Sequence, residues 1–447
     1  MHYLSSLVLA LALAASIDAR AVSKNKNRRH MDPATMAPAA SAAAGSCSGS
    51  DPAALNVAGA AATGASPDAN AAAAPAAEAG AKAIYFMTNQ DENSVIMLPV
   101  QDDGTLADGS IIATGGKGAS LIDTKTGQPA ASDTLASQGS VRVVGSSLFA
   151  VNAGSNSLSM FAIDPNDPAK LAPVGQPVGT GGDFPTSVAA SASLKIVCVG
   201  HTGAAAGISC AKFDEATGLS AFDPLRPFDL KQSNPPTGPL NGIGITFFNE
   251  DSSSLITTVK GNPMDSSGAF PGFVSVFAVD TATGSVATED TKTTPNGTAV
   301  LFGTSPIPGT NHVLTTDASF GSATLDLANL AQPVARTALD NQAATCWATV
   351  SRATNSGFVT DVGVNHLVEV DLQTGELIHD LQSQNGNPGM IDLQASGKMV
   401  YALAPGNGTT PAAVTVFDVG GGRASATEVQ NFVVSGADHR AMGMAFA

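Results

Sequence analysis

From residue 83 onward, short apolar runs alternate with clusters of Gly, Asn, Asp and Pro, in an order that repeats along the chain. Runs of about four to eight residues bounded by turn formers are strand signals. Four strands, A to D, make up each unit. The B strands are expected at Ile84–Asn89, Leu148–Asn152, Lys195–Gly200, Ser254–Val259, His312–Asp317, Gly357–Gly363 and Lys398–Ala404. A C strand follows each of them: Ser94–Val100, Ser157–Asp164, Gly207–Phe213, Phe273–Asp280, Ser322–Leu327, His366–Leu372 and Ala413–Val419. Several C strands end in an acid before a Gly-containing turn, as in Asp280-Thr281-Ala282-Thr283-Gly284. A D strand of variable length comes next.

The A strands are expected at Ser140–Gly145, Thr186–Ala192, Gly242–Phe248, Ala299–Thr304, Cys346–Ser351, Gly389–Ala395 and Ala441–Ala447. The first unit has no A strand ahead of its B strand, and the last seven residues of the chain supply one. A linear solenoid has no use for such complementation, whereas a ring closes by it. The expected fold is therefore all-β: a seven-bladed β-propeller with four-stranded blades over residues 83–447, its C-terminal strand closing the first blade. Abundant Gly (46) and Pro (26), with charged residues at only 13%, agree with a turn-rich all-β chain.

The runs Ile84-Tyr85-Phe86-Met87-Thr88-Asn89, Leu148-Phe149-Ala150-Val151-Asn152-Ala153-Gly154-Ser155-Asn156, Gly389-Met390-Ile391-Asp392-Leu393 and Lys398-Met399-Val400-Tyr401-Ala402-Leu403 resemble those of the lactonase-type propellers. They are most similar to the secreted fungal 3-carboxymuconate-cyclase-like glycoproteins, over essentially all of residues 83–447. The resemblance implies one of two functions. The first is a secreted glycoprotein that keeps the scaffold for binding or adhesion. The second is a muconate cyclase or related lactonase acting on a small carboxylate or lactone, without a metal.

The amino terminus carries different information. Residues 1–19 read as a secretory signal peptide, because the apolar run Leu4 to Ala15 is far shorter than the roughly 20 residues of a membrane span. Residues 20–29 read as a propeptide ending in the dibasic pair Arg28-Arg29. Residues 30–82 read as an Ala/Pro/Ser-rich disordered spacer; Ala fills 22 of the 50 positions from Met31 to Gly80, and none is Lys or Arg. The expected product is a monomer, secreted to the extracellular space or the cell wall, with no membrane span. A net charge of −16 argues against a nucleic-acid partner, which would require a basic face.

In a propeller the D–A and B–C connections converge on one face around the mouth of the channel, and candidate chemistry is sought there. Asp91, Glu92, Asn152, Asn156, Asp183, His201, Lys260, Asp317, Asp361, Asp438, His439 and Arg440 fall in those connections, and Arg142 on an inner strand. For a cyclase, His201 or His439 would be the acid, with Arg142, Arg440 and Lys260 gripping carboxylates. Asn152 and Asp183 complete the candidate substrate contacts. No cofactor is called for, and scattered oxygen ligands are too weak a signal for a metal. Asn296-Gly297-Thr298 and Asn407-Gly408-Thr409 are N-glycosylation sequons. Cys198 and Cys210 lie on consecutive antiparallel strands whose turn places them roughly opposite each other, within disulfide reach.

Overall fold

The computed structural model describes residues 80–263 and 270–447. The expected signal, processing and spacer segments (apart from Gly80–Lys82) and Cys47 lie outside the described residues. Seven antiparallel sheets form the blades, numbered here from the amino terminus. Their inner strands are Met442–Phe446, Val141–Val144, Pro185–Ser191, Ile243–Phe248, Leu301–Pro306, Thr345–Ser351 and Leu393–Ser396. Each inner strand touches that of the next blade, and the contacts run round to the first, so the ring is closed. The protein is a seven-bladed β-propeller.

Blade 1 is completed as the sequence pattern requires. Met442–Phe446 pairs with Ala83–Met87, matching Ile84 with Phe446 and Tyr85 with Ala445. Contacts to the propeller begin slightly before the expected boundary: the Ala81 amide donates to Ser396 Oγ at 2.9 Å, and the Lys82 amide to the Ala447 carbonyl at 2.6 Å. In blade 7 the inner strand begins at Leu393 rather than Gly389. Residues 389–392 run beside the B strand without a regular ladder; the Met390 amide turns instead to the Asp361 carbonyl of blade 6.

An inner strand leaves one edge facing the channel, and unpaired edge groups need partners. The fold meets this with a recurrent β-bulge. Register shifts fall between Pro185 and Ser187, Ile243 and Ile245, Leu301 and Thr304, and Thr345 and Trp347. A bulge turns a carbonyl out of its ladder. The penultimate Thr of three successive B strands captures a carbonyl in the following blade, at the bulge in blades 5 and 6 and just ahead of the inner strand in blade 7. Thr258 Oγ1 donates to Phe302 O at 2.5 Å, Thr316 Oγ1 to Cys346 O at 2.6 Å and Thr360 Oγ1 to Ile391 O at 2.7 Å. These bonds stitch blades 4 to 7 around the ring.

In blade 3, Cys198 and Cys210 are direct cross-strand partners and their sulfurs are bonded, with Cα atoms 4.0 Å apart. Both are buried. A bridge between residues 12 apart constrains a short unfolded loop, which corresponds to about 2–3 kcal/mol. The double variant Cys198→Ala/Cys210→Ala is expected to melt about 5 °C lower in a domain of this size. Non-reducing peptide mapping of the native protein should recover the linked pair; alkylation of both thiols in unfolded, unreduced protein would exclude it.

Candidate ligand site in the central channel

The connection from blade 1 to blade 2 enters the channel. Asp133 to Gln138 are all buried. Ser137 Oγ donates to Thr186 O of blade 3 at 2.8 Å, and the Gln138 amide to Gly244 O of blade 4 at 2.7 Å. On the opposite side, Gln138 Nε2 donates to Ala348 O of blade 6 at 2.8 Å, and Trp347 Nε1 to Ser137 O at 3.2 Å. The Gly139 amide reaches Asp392 Oδ2 of blade 7 at 3.1 Å. A segment bonded to inner strands on both sides of a ring must cross its middle. Residues 133–139 therefore form a plug, held by edge and bulge groups that no neighbouring strand satisfies.

The plug divides the channel. Above it, on the face of the D–A and B–C connections, is a cavity of about 310 Å³. Its floor is made by Asp133 of the plug, Lys260 at the end of the blade 4 B strand, and the free thiol of Cys346. Phe302, Val300 and Leu240 form apolar wall, while Asp123, Lys125, Lys231 and Gln232 stand among the other lining residues. The parallel pairing of Thr237–Gly238 with Ile122–Asp123 fastens two long connections beside it. Lys260 is only 1% exposed. Its Nζ donates to Ile243 O at 2.7 Å and to Ala136 O, and lies 4.7 Å from the centre of the Phe302 ring.

The electrostatics follow from burial. Loss of water raises the Asp133 carboxyl to about 7, although the Lys260 charge and amides of the plug pull it down. Burial likewise depresses the Lys260 ammonium, with Asp133 opposing. The Cys346 thiol is pushed up by burial first and by Asp133 next, so it stays protonated. Asp133 Oδ1 and Asn241 Oδ1 are buried cavity-lining oxygens without a hydrogen-bond partner. Leaving such an acceptor unmatched costs about 1–3 kcal/mol.

Of the residues singled out from sequence, only Lys260 lies at this cavity. Arg142 sits below the plug, its Nε donating to Val188 O at 3.3 Å. Arg440 is on the rim of blade 1, paired with Asp438 at 2.9 Å and Asp91 at 3.4 Å. The two arginines thus do not face one site, contrary to expectation. His201 is fully buried against Gly182, its Nδ1 3.1 Å from Gly207 O, and burial lowers its pKa to about 4. A histidine so disfavoured in its charged form is a poor proton donor at neutral pH. His439 is not among the residues that line the cavity.

The polar candidates are structural. Asn152 accepts from Asn93 and Thr114 and donates to Ser157 and Ser159, tying blade 1 to blade 2. Asp183 accepts from Asn156 at 3.0 Å and from the Ala205 amide at 3.1 Å, within blade 3 and its neighbour. Asp317 and Asp361 end their B strands by accepting amides of their own D–A connections, Ala299 and Val300 for one, Ala343 and Ala344 for the other. Asn296 is exposed, whereas Asn407 Oδ1 caps its own turn by accepting the Thr409 and Thr410 amides. Among the described residues no group of three His, Cys, Asp or Glu side chains is placed to hold a metal ion, and no helix is long and apolar enough to cross a membrane.

No protein-family model matches the chain, and no curated protein matches it in sequence. Solved structures do resemble it. A candidate 6-phosphogluconolactonase from Bacteroides fragilis superposes with a TM-score of 0.52 at 12% identity, covering 82% of this chain and 98% of its own. A functionally unknown protein from Desulfotomaculum acetoxidans gives a TM-score of 0.51 at 13% identity, with the same two coverages. At such identities the likeness is one of fold alone.

Proposed function

We propose that the protein is an extracellular, wall-associated glycoprotein of binding type, a monomer that takes a small neutral hydroxyl-rich ligand into the cavity above the plug. The carrying observation is the pair of partnerless acceptors, Asp133 Oδ1 and Asn241 Oδ1, beside the apolar wall of Phe302 and Val300. Acceptors call for donors, and hydroxyls supply them without adding charge. The opposed charges of Asp133 and Lys260 already offset each other, so the floor has little surplus charge with which to hold a tricarboxylate. Dispersal of Arg142, His201, His439 and Arg440 weighs against the cyclase reading. The disulfide and the exposed sequon at Asn296 support an oxidising, secretory route.

Trp347, the single tryptophan of the chain, packs on Phe302 at 5.1 Å and binds the plug, so its fluorescence reports on this cavity. Titration with monosaccharides and short oligosaccharides is expected to give a saturable change that also slows alkylation of Cys346. Asp133→Ala should weaken binding at least tenfold, the usual consequence of deleting a buried partner of a charged hydrogen bond. Absence of saturation across the sugar panel, or an unchanged affinity in Asp133→Ala, would overturn the reading. A second reading is favoured by the same carboxyl. A base near neutrality with a free oxygen in a cavity suits water activation for lactone opening. Turnover of 3-carboxy-cis,cis-muconate or of an aldonolactone, lost in Asp133→Asn, would establish that reading instead.

A further inference from the structure

Below the plug the channel continues as a chamber of about 280 Å³ that reaches the far ends of the inner strands at Val143, Phe248 and Pro306. All seven inner strands contribute to its wall, and Gln138 and Gly139 form its roof. Among the residues lining it, Arg142 is the one ionisable side chain. The two glutamines at the wall are committed: Gln138 to Ala348 and Gln394 to Met444 O at 3.2 Å. Arg142 is not. Its guanidinium makes a single hydrogen bond, from Nε to Val188 O, and no ion pair joins it to a carboxylate. Asp392 acts on it through its charge, but makes no hydrogen bond to it; Asp392 Oδ2 accepts the Gly139 amide of the plug. Among the described residues neither terminal nitrogen of the fork has a hydrogen-bond partner, and the side chain lines the chamber.

A guanidinium keeps its charge, and one that is only partly exposed, as Arg142 is, must be hydrated or paired. Its fork matches a carboxylate or another planar oxyanion through two parallel bonds. We propose that this chamber is a second ligand site, which binds a small oxyanion, a carboxylate by preference, on Arg142 from the side of the propeller opposite the upper cavity. The site needs no acid or base and is independent of the function proposed above. Apolar side chains of Val141, Ile245 and Met444 would border the carbon skeleton of such an anion, and no other charge in the wall competes for the cation.

The test uses the whole chain, with succinate and inorganic phosphate as probes at constant ionic strength. Succinate is expected to raise the melting temperature saturably and to bind with one site per chain by calorimetry. Arg142→Gln should lose at least tenfold in affinity. Arg142→Lys, which keeps the charge but not the fork, should fall between the two. Arg440→Gln, whose guanidinium is already paired on the rim, should bind as the unaltered protein does. Phosphate binding as tightly as succinate would assign the site to oxyanions in general. No saturable response in the unaltered protein, or equal responses in Arg142→Lys and Arg440→Gln, would overturn the proposal, even if Arg142→Gln fails to fold.

Discussion

A chain ending at Arg440 is expected to be unable to fold. The residues removed would take the inner strand out of blade 1 and open the ring at its only non-sequential joint. Met442 and Met444 are buried, as are Tyr85 and Phe86 on the strand they pair beside. The ladder lost includes the reciprocal bonds between Ala83 and Ala447, both at 3.1 Å. Each large apolar side chain returned to water forfeits about 1.5–3 kcal/mol, and four of them approach the whole stability of a typical domain. The truncated protein should be aggregated or degraded rather than recovered as a folded monodisperse species, as read by yield and size-exclusion chromatography. A milder change reports on the same joint. Gly443 has φ +84°, and an added Cβ would lie 2.6 Å from Ser140 Oγ of blade 2. Gly443→Ala combines left-handed strain with that clash and should lower the melting temperature by about 5 °C or more. Normal yield and an unchanged melting temperature of the truncated chain would mean that the ring closes in some other way.

Closure was legible because it is a matter of counting: seven units, one short of a strand at the start, one strand over at the end. The positions of the A, B and C strands followed from the same repetition, with boundaries off by a few residues where bulges or turns intervene. The site was not legible, for a physical reason. Ser132-Asp133-Thr134-Leu135-Ala136-Ser137-Gln138-Gly139 is polar and reads as a surface connection. It is buried because its polar groups meet edge carbonyls and amides on four blades, partners that exist only once the ring is closed. The available signal was length: the first two B strands begin 64 residues apart by the sequence reading, the widest such spacing, which marks an insertion without saying where it goes. Charged residues misled in the opposite way. Arg440 and Asp183 were conspicuous in sequence, yet their partners lie within a few residues or one blade. Lys260 was placed on the right face, but its role as a bridge to Ala136 required the plug.

The plug also sets how stability should respond to pH. Asp133 and Asp392 are both raised to about 7, each chiefly by burial, and burial raises Asp317 and Asp361 as well. In the unfolded chain all four titrate near 4. Between those limits the native state binds protons that the unfolded state does not, so stability rises as pH falls. His201 opposes this. Its pKa of about 4 lies below the ordinary histidine value near 6.5, so in that window the unfolded state takes a proton that the native state refuses. Lys260, depressed to about 8, acts in the same opposing sense but above neutrality. Two or more carboxyls against one imidazole leave a net uptake of at least one proton, which corresponds to about 1.4 kcal/mol per pH unit. The melting temperature should therefore be about 5 °C higher at pH 5 than at pH 7.5. Below about pH 4 the trend reverses. Asp371 is held well below the usual carboxylate range, first by the Thr374 amide and also by Arg423 at 2.6 Å, so its contribution is full above the unfolded value near 4 and is lost progressively as the pH falls from there toward the native one. Asp392→Asn should raise the melting temperature at pH 7.5 and flatten the rise toward pH 5, because it removes one of the protons that drives it. A melting temperature that falls steadily from pH 7.5 to 5 would show that the buried carboxyls titrate in their ordinary range, and that water reaches the plug.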